Sequence, residues 1–166
     1  GQGKYKIDAG HSTTIYNGEA VKISSGYVVG GQGSAADTLG VLNGIFYNDA
    51  STLKPTFANF YKATITPANS EDTTAFVIDD PFQQYVVAAD AATGVATFLE
   101  TYDMNSSAGS DTTGKSSATL DIGTTSANGK QFRMLRSAED PENEDATAVR
   151  HSVVVVSNLN SFNGHN

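Results

Sequence analysis

Apolar and polar residues alternate along much of this chain in short runs, separated by Gly, Asn, Asp and Pro. The stretch Thr74–Asp90 (TAFVIDDPFQQYVVAAD) contains two such runs, one on each side of Asp79-Asp80-Pro81. Asp followed by Pro favours a type I turn over residues 80–83, because Pro presets the backbone angle that the second turn position needs. The pattern therefore predicts a hairpin of two antiparallel strands. Its core-facing positions would include Phe76, Ile78, Tyr85 and Val87.

Turn signals predict further strands before this hairpin. Asn17-Gly18 is typical of a two-residue hairpin turn and would connect residues 13–16 with residues 19–24. Ser25-Gly26 would form a second tight turn into the next strand.

Two longer apolar segments show strand patterns of different kinds. Thr38–Asn48 (TLGVLNGIFYN) is rich in strand formers, and its Gly40 and Gly44 indicate a bulge or a close backbone approach. Ser152–Ser157 (SVVVVS) is apolar on both faces, which predicts a strand buried between two layers.

One segment has a helical pattern. Val95, Phe98, Leu99 and Tyr102 recur at helical spacing, and Thr97 with Glu100 could form a capping box. We expect a helix of about two or three turns within residues 95–104, although short alternation fits the same residues.

Polar residues dominate the two remaining segments. In Met104–Gln131 only the residues 119–122 resemble a strand, so we expect a long surface excursion there. We expect the tail Asn158–Asn166 to fray.

Together these patterns predict an all-β, mainly antiparallel fold, arranged as a β-barrel or a β-sandwich with long loops and at most one or two short helices. The expected organisation is an N-terminal arm or edge strand over residues 1–14, a single β-rich domain over residues 15–157, and a polar tail over residues 158–166.

Charge limits the classes of partner. The chain of 166 residues has 18 acidic and 10 basic residues, a formal net charge of −8, and no Cys. Without a basic block we expect neither nucleic acid nor an anionic membrane as a partner. No apolar run approaches the ~20 residues of a spanning helix. The expected partners are proteins.

Reactive side chains are few. His11, His151 and His165 have no nucleophile-elbow motif near them, and we interpret them as turn, tail or structural residues. A glycosidase would need a sugar cleft as well as paired carboxylates, and the chain has no Trp. We therefore expect no enzymatic activity and no cofactor. An acidic cluster remains a weak candidate for Ca²⁺, against the alternative of a solvated turn. It consists of Glu139, Asp140, Glu142, Glu144 and Asp145.

Two segments are candidates for protein interfaces. The first, Lys4, Tyr5, Lys6 and Ile7, has the pattern of an edge strand or an extended arm that could add a strand to a neighbour. The second contains Phe57, Phe60 and Tyr61, which would serve either as lids on the core or as anchors for a partner.

The order of several segments resembles the small capsid decoration, or cement, proteins of tailed bacteriophages, especially a marine-phage type. The matching pieces are NGEAVKI (17–23), TLGVLNGIFYND (38–49), AFVIDDPFQQYVVAAD (75–90), TGKSSATLDI (113–122) and FRMLRSAEDPENE (132–144) followed by SVVVV. They cover most of the chain from about residue 15 to residue 157.

This resemblance implies a structural virion protein on the outer capsid surface that stabilises contacts between major capsid subunits. It also implies an oligomer at capsid symmetry axes, and it offers no catalytic residues. From the aromatic segment with Phe57, Phe60 and Tyr61 and the polar excursion Met104–Gln131, which would become ordered against a neighbour, we expect self-association as a homo-oligomer, a trimer or a dimer. The competing hypothesis is a carbohydrate-binding or adhesin-like β-sandwich module on a virion or cell surface. Tyr can supply faces for stacking on sugars, although the lack of Trp disfavours such a module.

Overall fold

The structure, a computed structural model, describes residues 1–32, 37–105, 109–142 and 145–162. The prediction of an all-β, antiparallel fold is confirmed. Within the described ranges, helical structure is limited to two single 3₁₀ turns, Ala68–Ser70 and Val95–Thr97. Neither sheet closes into a barrel, so the barrel alternative is wrong.

The chain forms eleven named strands over these ranges. They are β1 (Gly3–Ile7), β2 (Ala20–Ser24), β3 (Tyr27–Gly30), β4 (Gly40–Asn48), β5 (Pro55–Ala58), β6 (Thr73–Ile78), β7 (Gln84–Ala88), β8 (Thr101–Met104), β9 (Leu120–Ser126), β10 (Phe132–Ser137) and β11 (Ser152–Ser157).

Two compact units divide the chain. The first contains residues 1–31, 39–80 and 108–117, and the second contains residues 32–38, 81–107 and 118–166. Each half of the sequence thus supplies one short segment to the unit that the other half mainly forms.

The first unit holds a six-stranded antiparallel sheet in the order β1-β6-β4-β2-β3, with β5 also paired to β4. The predicted bulge is present in β4, where the pairing with β6 shifts between Leu42 and Gly44, and Gly44 has φ 156°. The predicted close approach occurs at Gly40, where a Cβ atom would overlap the Ile78 carbonyl oxygen. Ser25 and Gly26 both have positive φ in the tight turn between β2 and β3, as predicted.

One face of this sheet covers the core of the first unit. Alternate residues of β6 (Thr73, Ala75 and Val77) point inward and are buried, because successive side chains of a strand lie on opposite faces. The core cluster consists of Ile7, Ile15, Val21, Val28, Leu39, Leu42, Ile45, Tyr61, Ala75 and Val77.

The second unit holds a five-stranded antiparallel sheet in the order β7-β11-β10-β8-β9. β11 is an interior strand between β7 and β10, and its Val153, Val154 and Val155 are all buried, as its doubly apolar pattern predicts. Just beyond β7, Ala89 forms an isolated parallel bridge with Leu120, the first residue of β9.

The predicted hairpin over Thr74–Asp90 is wrong. Both strands exist, but β6 pairs with β1 and β4 in the first sheet, whereas β7 pairs with β11 in the second. The turn residues therefore connect two sheets. Phe76 and Ile78 also lie on the face of β6 opposite its buried residues, so their predicted inward orientation is wrong.

The other predicted hairpin, around Asn17-Gly18, is wrong as well. Gly18 has φ 81° and a turn is present, since the Glu19 amide donates to the Tyr16 carbonyl (3.1 Å). The residues before the turn do not pair with β2. Instead, Ile15 forms a bridge with Tyr61.

The predicted helix within residues 95–104 is also wrong. Val95–Thr97 forms one 3₁₀ turn, and Thr101–Met104 is strand β8. Leu99 has φ 66°, which interrupts any helix between them. Val95 and Leu99 are exposed while Tyr102 is buried, so the helical spacing does not mark one buried face.

The expected polar excursion and fraying tail are more ordered than predicted. Residues 120–126 form the seven-residue strand β9, and residues 109–117 pack into the first unit. In the tail, the Asn158 amide donates to the Gln131 carbonyl (2.8 Å), and Asn160 is buried. Residues 163–166 of the predicted tail lie outside the described residues, as does His165.

Candidate interaction surface

The outward face of the first sheet brings together three of the predicted interface residues, Lys4, Lys6 and Phe57. Lys4 of β1 lies opposite Phe76 of β6, and Lys6 lies opposite Thr74. Phe46 of β4 lies opposite Thr74 on the other side of β6, and it pairs with Phe57 of β5. Directly paired residues share a face of a sheet. We call this set of residues (Lys4, Lys6, Phe46, Phe57 and Phe76) the phenylalanine face.

Three aromatic rings form the centre of the phenylalanine face. The ring centroids of Phe46 and Phe57 lie 4.7 Å apart, and those of Phe57 and Phe76 lie 6.3 Å apart. Phe57 is 73% exposed. Rings at such distances attract each other, yet this cluster leaves much apolar area in water. Contiguous exposed apolar patches usually mark sites of protein association.

Two lysines border the rings. Lys4 and Lys6 are exposed, and the Lys6 ammonium donates to the Thr74 hydroxyl (3.0 Å). The chain as a whole has a net charge of −8. A local pair of positive charges on an acidic protein favours a partner surface that is apolar and acidic.

The inward residues of β1 are not available to a partner. Ile7 is fully buried in the core, and the Tyr5 hydroxyl donates to Asp79 Oδ2 (2.7 Å). Burial and the Asp79 carboxylate raise the pKa of Tyr5 to about 12. β1 lies at the edge of the first sheet. The edge-strand prediction is therefore confirmed, and the extended-arm alternative is wrong. Its Cα atoms come within 8 Å of those of β3, which limits the room for an added strand.

The aromatic segment after β5 divides by burial. Tyr61 is 1% exposed, and its hydroxyl donates to the His11 carbonyl (2.9 Å), so it belongs to the core and cannot anchor a partner. Phe60 is half-buried and stacks on Tyr16 with 5.8 Å between ring centroids. Of the three predicted aromatic candidates, Phe57 has by far the greatest exposure.

The acidic turn does not assemble a metal site from the residues that the structure describes, where no group of three potential ligands converges. Asp140 accepts a hydrogen bond from the Glu142 amide (3.1 Å), and Asp145 accepts one from the Thr147 amide (2.9 Å). Glu139 is exposed, and Glu144 lies outside the described residues. The carboxylates of Asp140 and Asp145 thus cap their own turns.

The two described histidines occupy structural positions. His11 is half-buried, its ring centroid lies 5.5 Å from that of Tyr61, and burial lowers its pKa. His151 is buried just before β11.

Two open depressions add no reactive cluster. The larger, with a volume of 690 Å³, is lined by Tyr47, Asp49 and Lys62 among others. Asp49 accepts hydrogen bonds from Ser51 and Thr52 in its own loop, and Lys62 pairs with Asp111 (3.5 Å). The smaller depression, of 490 Å³, is lined by Glu100, Tyr102 and hydroxyl side chains.

The sequence patterns did not point to Phe46, and they placed Phe76 in the core. A signal for Phe76 was present in β6, where Thr73, Ala75 and Val77 are small enough for close packing beneath the sheet and Phe76 lies on the opposite face. The alternation of odd and even positions does not by itself say which face of the strand is buried, because both faces of β6 are largely apolar.

Comparison with protein-family models, with curated proteins and with solved structures finds no match to this chain. Across the described ranges, no helix has the length and apolarity to cross a bilayer.

Proposed function

We propose that this protein is a structural virion component that binds the outer surface of a phage capsid and stabilises contacts between major capsid subunits. The observation that supports it best is the phenylalanine face, with Phe57 73% exposed and two lysines at its border. The resemblance of the matching segments to capsid decoration proteins supplies the class of partner.

The phenylalanine face would supply the binding energy. Transfer of a largely exposed Phe side chain into an interface contributes roughly 1.5–3 kcal/mol, and aromatic anchors at the centre of an interface dominate binding. Lys4 and Lys6 would contribute orientation and association rate, since exposed charges at the rim of an interface act mainly on these.

The test is co-sedimentation of the protein with empty heads of its phage. We expect Phe57→Ser to weaken binding at least about tenfold, which corresponds to a loss of about 1.4 kcal/mol. Leu53→Ser is the matched control, because Leu53 is a 75% exposed residue of a loop in the same unit. It should bind like the unchanged protein.

Lys4→Glu with Lys6→Glu tests the charges separately. This double variant should bind more slowly and lose part of its dependence on ionic strength. If Phe57→Ser does not weaken binding to heads, the proposed surface is wrong. If the unchanged protein does not bind heads but is retained on an immobilised glycan, the carbohydrate-binding hypothesis is favoured.

A further inference from the structure

Asn-Gly pairs occur four times in the sequence, at residues 17–18, 43–44, 128–129 and 163–164. The last of them lies outside the described residues. In such a pair the main-chain nitrogen of Gly can attack the side-chain amide of Asn, because Gly has no Cβ atom to hinder the approach and leaves the backbone free to rotate. The reaction turns Asn into an acid without an enzyme. Whether it occurs in a folded protein depends on how the fold holds the two reacting groups.

The pair Asn17-Gly18 is held by hydrogen bonds at both reacting groups. The Gly18 amide, which would be the nucleophile, donates to the Leu42 carbonyl (2.8 Å). The Asn17 Nδ2 atom, which would be the leaving group, donates to the carbonyls of Asn43 (3.0 Å) and Asn59 (3.1 Å). An attack would break all three contacts, so the fold protects this pair.

The pair Asn43-Gly44 lies within strand β4. Gly44 pairs with Phe76 of β6, and the next residue, Ile45, pairs with both β6 and β5. Backbone that is paired on both sides cannot rotate the Gly44 nitrogen towards Asn43 Cγ without losing these pairs. Both pairs of the first unit are thus protected.

The pair Asn128-Gly129 lies outside any strand, in the connection between β9 and β10. Both residues are exposed. The Gly129 amide donates to the Ser126 hydroxyl over 3.3 Å, a long hydrogen bond that an attack by the Gly129 nitrogen would give up at little cost. The nucleophile of this pair is therefore the least restrained of the three.

A guanidinium group is directed at the carbonyl that would be attacked. Arg133 Nη2 donates to Asn128 Oδ1 (2.9 Å). The same nitrogen donates to Asn158 Oδ1 (3.1 Å), and Arg133 Nη1 donates to the Leu99 carbonyl, so the cation is held in place before any reaction. Attack on Asn128 Cγ develops negative charge on Oδ1, and a preorganised cationic donor stabilises such a charge.

We propose that Asn128 is a site of spontaneous deamidation in the folded protein, activated by Arg133. The Gly129 nitrogen forms a bond to Asn128 Cγ, the bond from Cγ to Nδ2 breaks, and Nδ2 leaves as ammonia with the proton from the Gly129 amide. Water then opens the cyclic imide. Hydrolysis at Cγ gives aspartate, whereas hydrolysis at the main-chain carbonyl carbon gives isoaspartate. This inference does not rest on the proposed function.

Either product changes the connection between β9 and β10. It adds a carboxylate beside Arg133, in a chain whose net charge is already −8. Isoaspartate also lengthens the main chain by one methylene group, at a residue whose carbonyl accepts a hydrogen bond from Asn158 Nδ2 (3.0 Å). We therefore expect aspartate to preserve this turn better than isoaspartate does.

Peptide mass spectrometry of the full chain after incubation at mildly alkaline pH tests the proposal. Each deamidation adds about 1 Da, and chromatography separates aspartate from isoaspartate peptides. In the folded protein we expect Asn128 to react at least about tenfold faster than Asn17 and Asn43, because those two sites must first open locally. In urea the fold is lost and the three pairs should react at similar rates.

Arg133→Gln tests the role of the guanidinium group. It should slow the deamidation of Asn128 several-fold without affecting the two sites of the first unit, because it removes the cationic donor at Oδ1. Arg136→Gln is the matched control, since Arg136 is exposed on the same strand and donates to the Ser137 carbonyl. It should react like the unchanged protein, and circular dichroism would verify that both variants fold.

Two outcomes would overturn the proposal. Equal rates at the three sites in the folded protein would show that the fold does not select Asn128. Deamidation that is as fast or faster in Arg133→Gln would show that the guanidinium group does not activate it. If Arg133→Gln does not fold, the comparison of the three sites in the unchanged chain decides alone.

Discussion

Glu19 places a carboxyl group in the interior of the first unit. It is 7% exposed, and its Oε2 accepts a hydrogen bond from the Tyr16 amide (2.8 Å). Burial raises the pKa of Glu19 to about 7 and outweighs this hydrogen bond, which acts in the opposite direction. The folded protein thus holds a proton on Glu19 that the unfolded chain releases near pH 4.5.

A raised pKa of an acid makes the free energy of unfolding fall as pH rises. The stabilisation is complete below pH 4.5 and is lost as pH increases to about 7. We expect Glu19→Gln, which keeps an oxygen acceptor for the Tyr16 amide, to be more stable than the unchanged protein at pH 8, by an amount on the order of 2 kcal/mol. Urea unfolding at several pH values measures this difference.

Glu71→Gln is the control, because Glu71 is exposed in the same unit. Its stability should follow that of the unchanged protein across the pH range. Parallel pH curves for Glu19→Gln and the unchanged protein would show that Glu19 ionises as it does in water.

Sequence predicts single residues best where local backbone geometry decides the outcome. Ser25-Gly26, Gly40 and Gly44 were identified because few residue types fit a tight turn, a bulge or a close backbone approach. Tyr61 was left between two roles because its burial depends on the bridge to Ile15, a contact between distant parts of the chain. The central residues of the phenylalanine face share this limit, since Phe46 and Phe57 meet only through the pairing of β4 with β5.

At the scale of elements, residues 109–117 act as a strap on the first unit. The Asn17 amide donates to the Gly114 carbonyl (2.8 Å), and the Ser116 amide donates to the Asn17 carbonyl (2.9 Å). Asn59 Nδ2 donates to the Thr113 carbonyl (2.9 Å), and the Tyr16 hydroxyl donates to Asp111 (2.8 Å). A segment with little apolar content is thus held by hydrogen bonds.

Gly114 is the residue on which the strap depends most. It has φ 68°, and a Cβ atom there would overlap the Phe60 ring and lie 2.8 Å from the Asn59 side-chain amide. We expect Gly114→Ala to release residues 109–117, because it adds both backbone strain and a clash. Hydrogen exchange at the Asn17 and Ser116 amides should become at least about tenfold faster, in proportion to a loss of about 1.4 kcal/mol in local stability.

Asp111→Asn is the control for the strap, because Asn keeps an oxygen that can accept the hydrogen bond from the Tyr16 hydroxyl. The change removes only the ion pair with Lys62, which joins side chains that are 54% and 45% exposed, so it should cost well under about 1 kcal/mol. If Gly114→Ala leaves hydrogen exchange as slow as Asp111→Asn does, the close packing of Gly114 is not what holds the strap.

Elements were predicted better than their partners. The strand patterns of β6 and β7 were correct, but Asp80-Pro81 indicates only that the chain turns, not which strands pair afterwards. Helical spacing over Val95–Tyr102 failed because the exposure of Leu99 and the burial of Tyr102 are set by the second sheet. β9 was underestimated since its Thr and Ser residues fit a strand only when neighbouring strands supply the ladder.

In the whole molecule, each half of the sequence contributes a segment to the compact unit that the other half mainly forms. Residues 1–80 contain every strand of the first sheet, and residues 81–166 contain every strand of the second. The strap from the second half completes the first unit. In return, Thr38 from the first half pairs with the second unit, where its amide donates to the Leu159 carbonyl (2.7 Å).

This exchange predicts complementation between fragments. We expect residues 1–80 and residues 81–166, produced separately and mixed, to form a one-to-one complex that gel filtration detects. Gly114→Ala in the longer fragment should weaken the complex several-fold, because it disrupts the strap. Two fragments that elute separately after mixing would show that the exchanged segments do not hold the halves together.

The same exchange sets an order of events on the ribosome. Tyr16, Asn59 and Phe60 are synthesised early but gain their final neighbours only after residue 117 has emerged. Thr38 waits longer still, for Leu159 and Ser161 near the end of the chain. A nascent chain halted before residue 159 therefore leaves Thr38 without its final neighbours, so neither half of the sequence completes its native contacts until residues 159–161 have emerged.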